Sequence, residues 1–300
     1  MTKFKHIQMK IEQHHSQIFF YSLIVGFFLL LTYSILIYST VVFADENSSG
    51  EKNGESLNSL SQIIPNQQEK ILKENILAKA YVIYDINNKK IVRSQNAHLP
   101  LAIASLTKII TVGTLLDTAK KNKIEIRDET RYRIQKALVQ SSNEDADSLG
   151  YIYSYSFGRD LLTDSNNLIN SLGVQTLTLT NLTGLDNYDG TASNIGSAEA
   201  IAKVFAYMYE NYRGVFEFTK FDELETDGGT IINTNHGTES TFGILASKTG
   251  FTYEAGGNLG VIVSPEPGRA FAIVVMQSTK EGRFKDMEKI VKLLPLILKE

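Results

Sequence analysis

Ser105 and Lys108 stand three residues apart in the run Leu101-Ala102-Ile103-Ala104-Ser105-Leu106-Thr107-Lys108, where a helical pattern begins. On a helix, positions i and i+3 share a face, so this spacing brings an amine to a hydroxyl. A serine is a weak nucleophile until a neighbouring base takes its proton. A lysine can be that base only if burial or a nearby positive charge lowers its pKa. The chemistry on offer is attack on a carbonyl, with the N–H groups of the helix start available to an oxyanion. Spacing alone decides little. Ser49-Gly50-Glu51-Lys52 has it too, and a serine at a helix start is often only an N-cap.

Two further groups could join this chemistry. Ser141-Ser142-Asn143 lies between stretches with helical patterns, 132–140 and 144–155. A hydroxyl and an amide at such a junction can shuttle a proton and hold a substrate amide. Plain capping explains the same residues, and Ser56-Leu57-Asn58 and Ser165-Asn166-Asn167 repeat the pattern. Lys248-Thr249-Gly250 occurs once, at the end of a β-rich run over 243–250. A lysine, a hydroxyl and a residue without a side chain suit an edge strand that pairs with an extended substrate, because glycine lets backbone come close.

The elements that must position these residues are legible as patterns. Residues 80–85 and 90–94 predict a hairpin around Asn87-Asn88-Lys89. Pro100 blocks helix before the Ser105 turn. Ile109, Val112, Leu115, Leu116 and Ala119 predict a helix from Ser105 to about Lys120. Helices over 161–172 and 197–209 follow, with Gly173 and Gly214 as stops, and a short strand over 176–180 between them. Apolar runs at 258–264 and 270–276 predict buried strands joined by Pro265-Glu266-Pro267-Gly268. An amphipathic helix over 284–298 would cover the sheet.

Composition bounds the rest. The chain has 300 residues, 43% hydrophobic and 21% charged, with a net charge of −3. That balance argues against a nucleic-acid binder, which shows a basic stripe. Without cysteine there is no disulfide, thiolate metal site or thiol nucleophile. His6, His14, His15, His98 and His236 show no metal-ligand spacing, so neither metal nor cofactor is expected. Residues 18–43 carry no charge, and about 20 apolar residues span a bilayer as a helix. Lys3, Lys5 and Lys10 precede them; Asp45 and Glu46 follow. The positive-inside rule puts residues 1–17 in the cytoplasm and the chain after Ala44 outside. A long signal peptide cleaved after Ala44, giving a secreted protein, is the competing expectation. Residues 44–75, rich in Ser, Asn and Glu, read as a flexible tether, and 76–300 as the folded domain.

Ser105-x-x-Lys108, Ser141-x-Asn143 and Lys248-Thr249-Gly250, in that order, resemble the motif set of the penicillin-binding and serine β-lactamase superfamily. The flanks Ile103-Ala104-Ser105-Leu106-Thr107-Lys108 and Lys248-Thr249-Gly250-Phe251-Thr252-x-x-Ala255-Gly256 narrow the resemblance to D-alanyl-D-alanine carboxypeptidases of peptidase family S11. Asn181-Leu182-Thr183-Gly184-Leu185-Asp186, Ser197-Ala198 and Asn233-Thr234-Asn235 agree with it. The likeness covers about residues 78 to 298.

The resemblance implies an α+β fold of the β-lactamase/DD-peptidase type, an antiparallel sheet beside a helical lobe with the site between them. It implies that 76–300 is a DD-peptidase domain acting on peptidoglycan stem peptides, with β-lactams as covalent inhibitors. Ser105 would be the nucleophile and Lys108 the base, kept neutral with help from Lys248. Ser141 would relay the proton and Asn143 would orient Lys108. Lys248, Thr249, Gly250 and Phe251 would bind substrate, the N–H groups of Ser105 and Phe251 forming the oxyanion hole. Arg283 stands where the family often has a carboxylate-binding arginine; a surface arginine at a helix start is the alternative. One departure is visible: the stretch between Lys108 and Ser141 is short, and a Gly-rich, strand-bearing segment is missing from it. DD-endopeptidase, transpeptidase and a non-catalytic membrane-tethered peptidoglycan-binding protein are the alternative functions. A class A β-lactamase would need a Glu-x-x-Leu-Asn run that the sequence lacks.

Overall fold

Residues 76–236 and 243–298 are described by a computed structural model. The expected cytoplasmic segment, anchor and tether lie outside the described residues. Among the described residues no helix is long and apolar enough to cross a membrane.

The chain opens with the hairpin β1 (Ala80–Asp85) and β2 (Lys90–Gln95), then β3 (Leu101–Ala102) and a 3-10 turn, Ala104–Leu106. A helical lobe follows: α1 (Thr107–Lys121), α2 (Asp128–Gln135), a π-helical turn at Lys136–Gln140, α3 (Asn143–Phe157) and α4 (Leu161–Ser171). Short strands β4 (Leu177–Thr178) and β5 (Ile195–Gly196) lead to α5 (Ala198–Phe216). The chain closes with β6 (Glu223–Thr226), β7 (Gly229–Ile232), β8 (Ile244–Thr252), β9 (Gly256–Glu266), β10 (Arg269–Ser278) and α6 (Gly282–Ile297).

The main sheet is antiparallel in the order β2-β1-β10-β9-β8. All six residues of β1 are buried because both sheet faces are covered. Strand side chains alternate between faces. Ala80, Val82, Tyr84, Ala272, Val274 and Met276 pack in the core shared with the helical lobe. Tyr81, Ile83, Ile273 and Val275 pack with Phe284, Met287, Ile290 and Leu294 of α6. This is why β9 and β10 read as continuous apolar runs rather than alternating ones.

Asp286 locks α6 to the sheet. Fully buried, it accepts hydrogen bonds from Leu77 N (2.9 Å), Ala78 N (2.8 Å) and Ser278 Oγ (2.6 Å). Asp286→Ala orphans two backbone donors and a hydroxyl, so we expect a loss of about 3 kcal/mol in urea unfolding. Unchanged stability would remove Asp286 from this role.

Some expectations shift. Gly214 does not stop α5, which runs on to Phe216 with a kink at Tyr212 (φ −135°, ψ 34°). The stretch proposed as the β9–β10 turn is mostly strand: β9 reaches Glu266, and only Pro267 and Gly268 turn, with Gly268 at φ +81°. Ser105 lies in the 3-10 turn just before α1 rather than in the helix itself. The β6–β7 hairpin has no counterpart in the sequence patterns above.

Candidate active site

Ser105 follows a strained residue. Ala104 has φ +47°, a left-handed conformation that costs a side chain of the order of 1 kcal/mol or more. The surroundings hold it there. Thr107 Oγ1 donates to Ala104 O at 2.7 Å, and Asn194 Nδ2 donates to Thr107 Oγ1 at 2.8 Å. Ile103 N donates to Asn194 O at 3.1 Å. Gly184, at φ +83°, backs onto the same turn: a Cβ there would sit 1.9 Å from Ala104 O.

Lys108 points from α1 into this site and is fully buried. Its Nζ contacts Ser105 Oγ at 2.8 Å, Asn143 Oδ1 at 2.7 Å and Thr183 O at 2.8 Å. A neutral amine has two N–H donors and one lone pair. Asn143 Oδ1 and Thr183 O can only accept, so they take the two donors and leave the lone pair facing the Ser105 hydroxyl. Burial draws the Lys108 pKa down to about 7, against a smaller upward pull from Asp147. The Thr183 carbonyl is itself fixed: Asn181 Oδ1 accepts from Thr183 N at 3.1 Å and from Gly184 N at 2.7 Å.

The two neighbouring serines divide the work. Ser142 caps α3, accepting from Asp145 N at 3.1 Å and donating to Asp145 Oδ2 at 2.6 Å. Asp145 is clamped by Lys136 at 2.9 Å and Arg133 at 3.3 Å. Ser141, at φ +63°, is thereby turned away from the helix and accepts from Lys248 Nζ at 2.7 Å. Capping therefore accounts for Ser142 and leaves the Ser141 hydroxyl in the site.

Lys248, Thr249 and Gly250 lie on β8, which among the described residues pairs with β9 alone and is the edge of the sheet. Gly250 is needed there: a Cβ would meet Ile103 O at 3.0 Å and Ser105 N at 3.2 Å. Lys248 is buried and also donates to Thr249 O at 2.9 Å. Its pKa lies well below the usual lysine range, through burial first and then repulsion from Lys108 and Arg283. Burial is the largest cause on both amines, and their mutual repulsion disfavours charging both. Phe251 follows on the same strand, partly exposed beneath Lys280. Arg283 is buried rather than on the surface, and its Nη1 donates to Gly250 O at 2.8 Å.

The structure thus brings Ser105, Lys108, Ser141, Asn143, Lys248, Thr249, Gly250 and Arg283 into one connected region. Thr234 joins them without having been assigned a role. Its Oγ1 lies 2.5 Å from Thr249 Oγ1, and its N donates to Val139 O at 3.1 Å. Its position in Asn233-Thr234-Asn235 was the only available signal. Thr183 was missed because it contributes a backbone carbonyl, which residue type does not reveal.

Residues 66–134 and 131–280 match the peptidase S11 family, described as D-alanyl-D-alanine carboxypeptidase. D-alanyl-D-alanine carboxypeptidase DacF of Bacillus subtilis is 24% identical over 246 residues, which are 71% of this chain and 61% of that protein. The chain thus spans about three fifths of that curated relative. Penicillin-binding protein D2 of Listeria monocytogenes, solved with ampicillin bound, superposes with a TM-score of 0.65 at 26% identity, covering 73% of this chain and 97% of that one. PBP3 of Streptococcus pneumoniae, described as a peptidoglycan synthesis regulatory factor, gives 0.63 at 25% identity, covering 74% and 80%. These likenesses and the sheet-plus-helical-lobe architecture agree on the penicillin-binding-protein fold.

Proposed function

The chain belongs to the D-alanyl-D-alanine carboxypeptidase family of serine peptidases, and from that premise we propose that it removes the terminal D-alanine of peptidoglycan stem peptides through an acyl-enzyme. The observation that carries this reading is the 2.8 Å contact between the buried Lys108 Nζ and Ser105 Oγ. Neutral Lys108 takes the hydroxyl proton as Ser105 Oγ attacks the carbonyl of the penultimate D-alanine. The N–H groups of Ser105 and Phe251 hold the oxyanion. Ser141 relays that proton, giving its own to the leaving amine and taking the one held by Lys108; the C–N bond breaks, and D-alanine departs. Thr249 and Lys248 bind the terminal carboxylate, and Arg283 adds positive charge behind Gly250. Water then cleaves the ester and restores Ser105. β-Lactams acylate the same oxygen.

Release of D-alanine from a pentapeptide tests this, beside cleavage of a cross-linked dimer. Cross-link cleavage without D-alanine release would instead make the protein an endopeptidase. Residues 18–43 serve in this reading as a single-pass anchor that holds the 76–300 domain outside the cell on the 44–75 tether. Its support is the uncharged length and the flanking charges. A mature chain beginning at Asp45 would overturn the anchor.

The site also sets a pH dependence. Lys108 is an active base only when neutral, and its pKa lies at about 7. Raising the pH through that value deprotonates it, so single-turnover acylation by a penicillin should rise through about pH 7 and then level off. A flat profile between about pH 5 and 9 would remove Lys108 as the base.

A further inference from the structure

Three basic side chains are buried around Ser105: Lys108, Lys248 and Arg283 are 0%, 1% and 6% exposed. Their hydrogen bonds end on neutral oxygens of Ser105, Asn143, Thr183, Ser141, Thr249 and Gly250. Among the described residues none of the three has a carboxylate in salt-bridge contact. Asp145, the nearest acid in sequence to Asn143 that is buried, is turned away to Arg133 and Lys136. Among the described residues two acids on α3, Glu144 and Asp147, are left over, and Glu144 faces Lys136. Asp147 lies four residues beyond Asn143, on the same helix face, and Asn143 Oδ1 is 2.7 Å from Lys108 Nζ. Its side chain is exposed and, unlike Asp145, it makes no hydrogen bond or ion pair.

We propose that Asp147 is the counter-charge of this site, a carboxylate acting on Lys108 across one turn of α3 that sets the pH at which Ser105 becomes reactive. The inference rests on the reaction proposed above. Asp147 touches no reacting atom and acts through Lys108, so it is a positioning residue. Its charge favours the lysinium form and opposes burial; the Asp147 carboxyl itself is held above its usual range by partial desolvation, with Lys108 pulling the other way. Lys248 on β8 faces Lys108 and acts in the opposite sense, and Arg283 on α6 acts in turn on Lys248. Among the described residues its hydrogen bonds are to the neutral Ser105, Asn143 and Thr183 O. A carboxylate therefore makes the enzyme slower in acid than its burial alone would.

Asp147→Asn should consequently accelerate the enzyme at low pH. We would titrate Lys108 by NMR in the full-length, detergent-solubilised chain carrying 13C-labelled lysine, the signal being assigned by its loss in Lys108→Met. We would also measure penicillin acylation against pH. Asp147→Asn should lower the Lys108 midpoint and speed acylation about two- to five-fold well below it, as expected for a partly screened charge. Asp147→Glu should keep the wild-type profile, and the difference should shrink at high salt. An unchanged or raised midpoint in Asp147→Asn would overturn the inference. If wild type shows the Lys108 titration without Ser105-dependent acylation, the proposed reaction falls, while the NMR comparison still decides the role of Asp147.

Discussion

Ser105→Ala is expected to abolish covalent labelling by a fluorescent penicillin and to lower turnover by at least about 10⁴-fold, as removal of a serine nucleophile does elsewhere. The magnitude follows from the site. Lys108 has its two N–H donors engaged by Asn143 and Thr183 O, so its lone pair has one hydroxyl to activate. Ser141 cannot take over, because its Oγ is held by Lys248 at 2.7 Å. Lys108→Met should fall nearly as far, and Ser105→Ala with Lys108→Met little further than either alone, since base and nucleophile act as one unit. Ser105→Ala should not unfold the domain. Ser105 is only partly buried, and its removal orphans no backbone group. The measurement is gel fluorescence with mass spectrometry of the labelled protein. Label persisting in Ser105→Ala would place the nucleophile elsewhere and sink the proposed reaction.

What the sequence disclosed and what it hid divide along a physical line. Ser105 and Lys108 were legible because an i, i+3 pair depends only on local helical geometry, and the 3-10 turn before α1 keeps it. Gly250 was legible for a similar reason: a residue with no side chain on a strand announces close approach, here 3.2 Å from Ser105 N to a would-be Cβ. The capping alternative at Ser141-Ser142-Asn143 could not be resolved from residue types, since both serines are competent caps. The partner decided it, because Asp145 takes Ser142 and Lys248 takes Ser141. For Lys108 the sequence leaves burial and a neighbouring charge both open as causes of neutrality; burial is the larger, and it is a property of the assembled lobe that no local pattern carries. Gly214 failed as a helix stop because the apolar face of α5 continues to the buried Phe216, and packing outweighs a propensity of about 1 kcal/mol. Asn194 and the Thr183 carbonyl act on segments far away in sequence and emerge only from the folded chain, while Thr234 is marked in sequence by its place in Asn233-Thr234-Asn235 alone.

Gly184→Ala should slow acylation by about two orders of magnitude, although Gly184 touches no substrate. Two costs combine. At φ +83° an alanine is strained by of the order of 1 kcal/mol, and its Cβ would stand 1.9 Å from Ala104 O and 2.8 Å from Thr107 Oγ1. Backbone cannot yield as a flexible side chain can, so either the Ala104 turn or the Asn181–Gly184 loop must move. The first carries Ser105 and the second carries the carbonyl that orients Lys108, so either movement separates nucleophile from base. A misplacement of about 1 Å costs about 10²-fold in rate. Acylation should fall by at least that factor, with the penicillin's non-covalent affinity nearly unchanged. Gly190→Ala is the control. Gly190 has φ +81° with nothing within 4 Å of its would-be Cβ, so it carries the strain without the collision. It should lose a similar 1 kcal/mol or so of stability and keep its acylation rate. Equal acylation in the two variants would mean that strain alone matters and that Gly184 does not hold the turn. A large gap at matched stability ties the reactivity of Ser105 to a loop nearly eighty residues away.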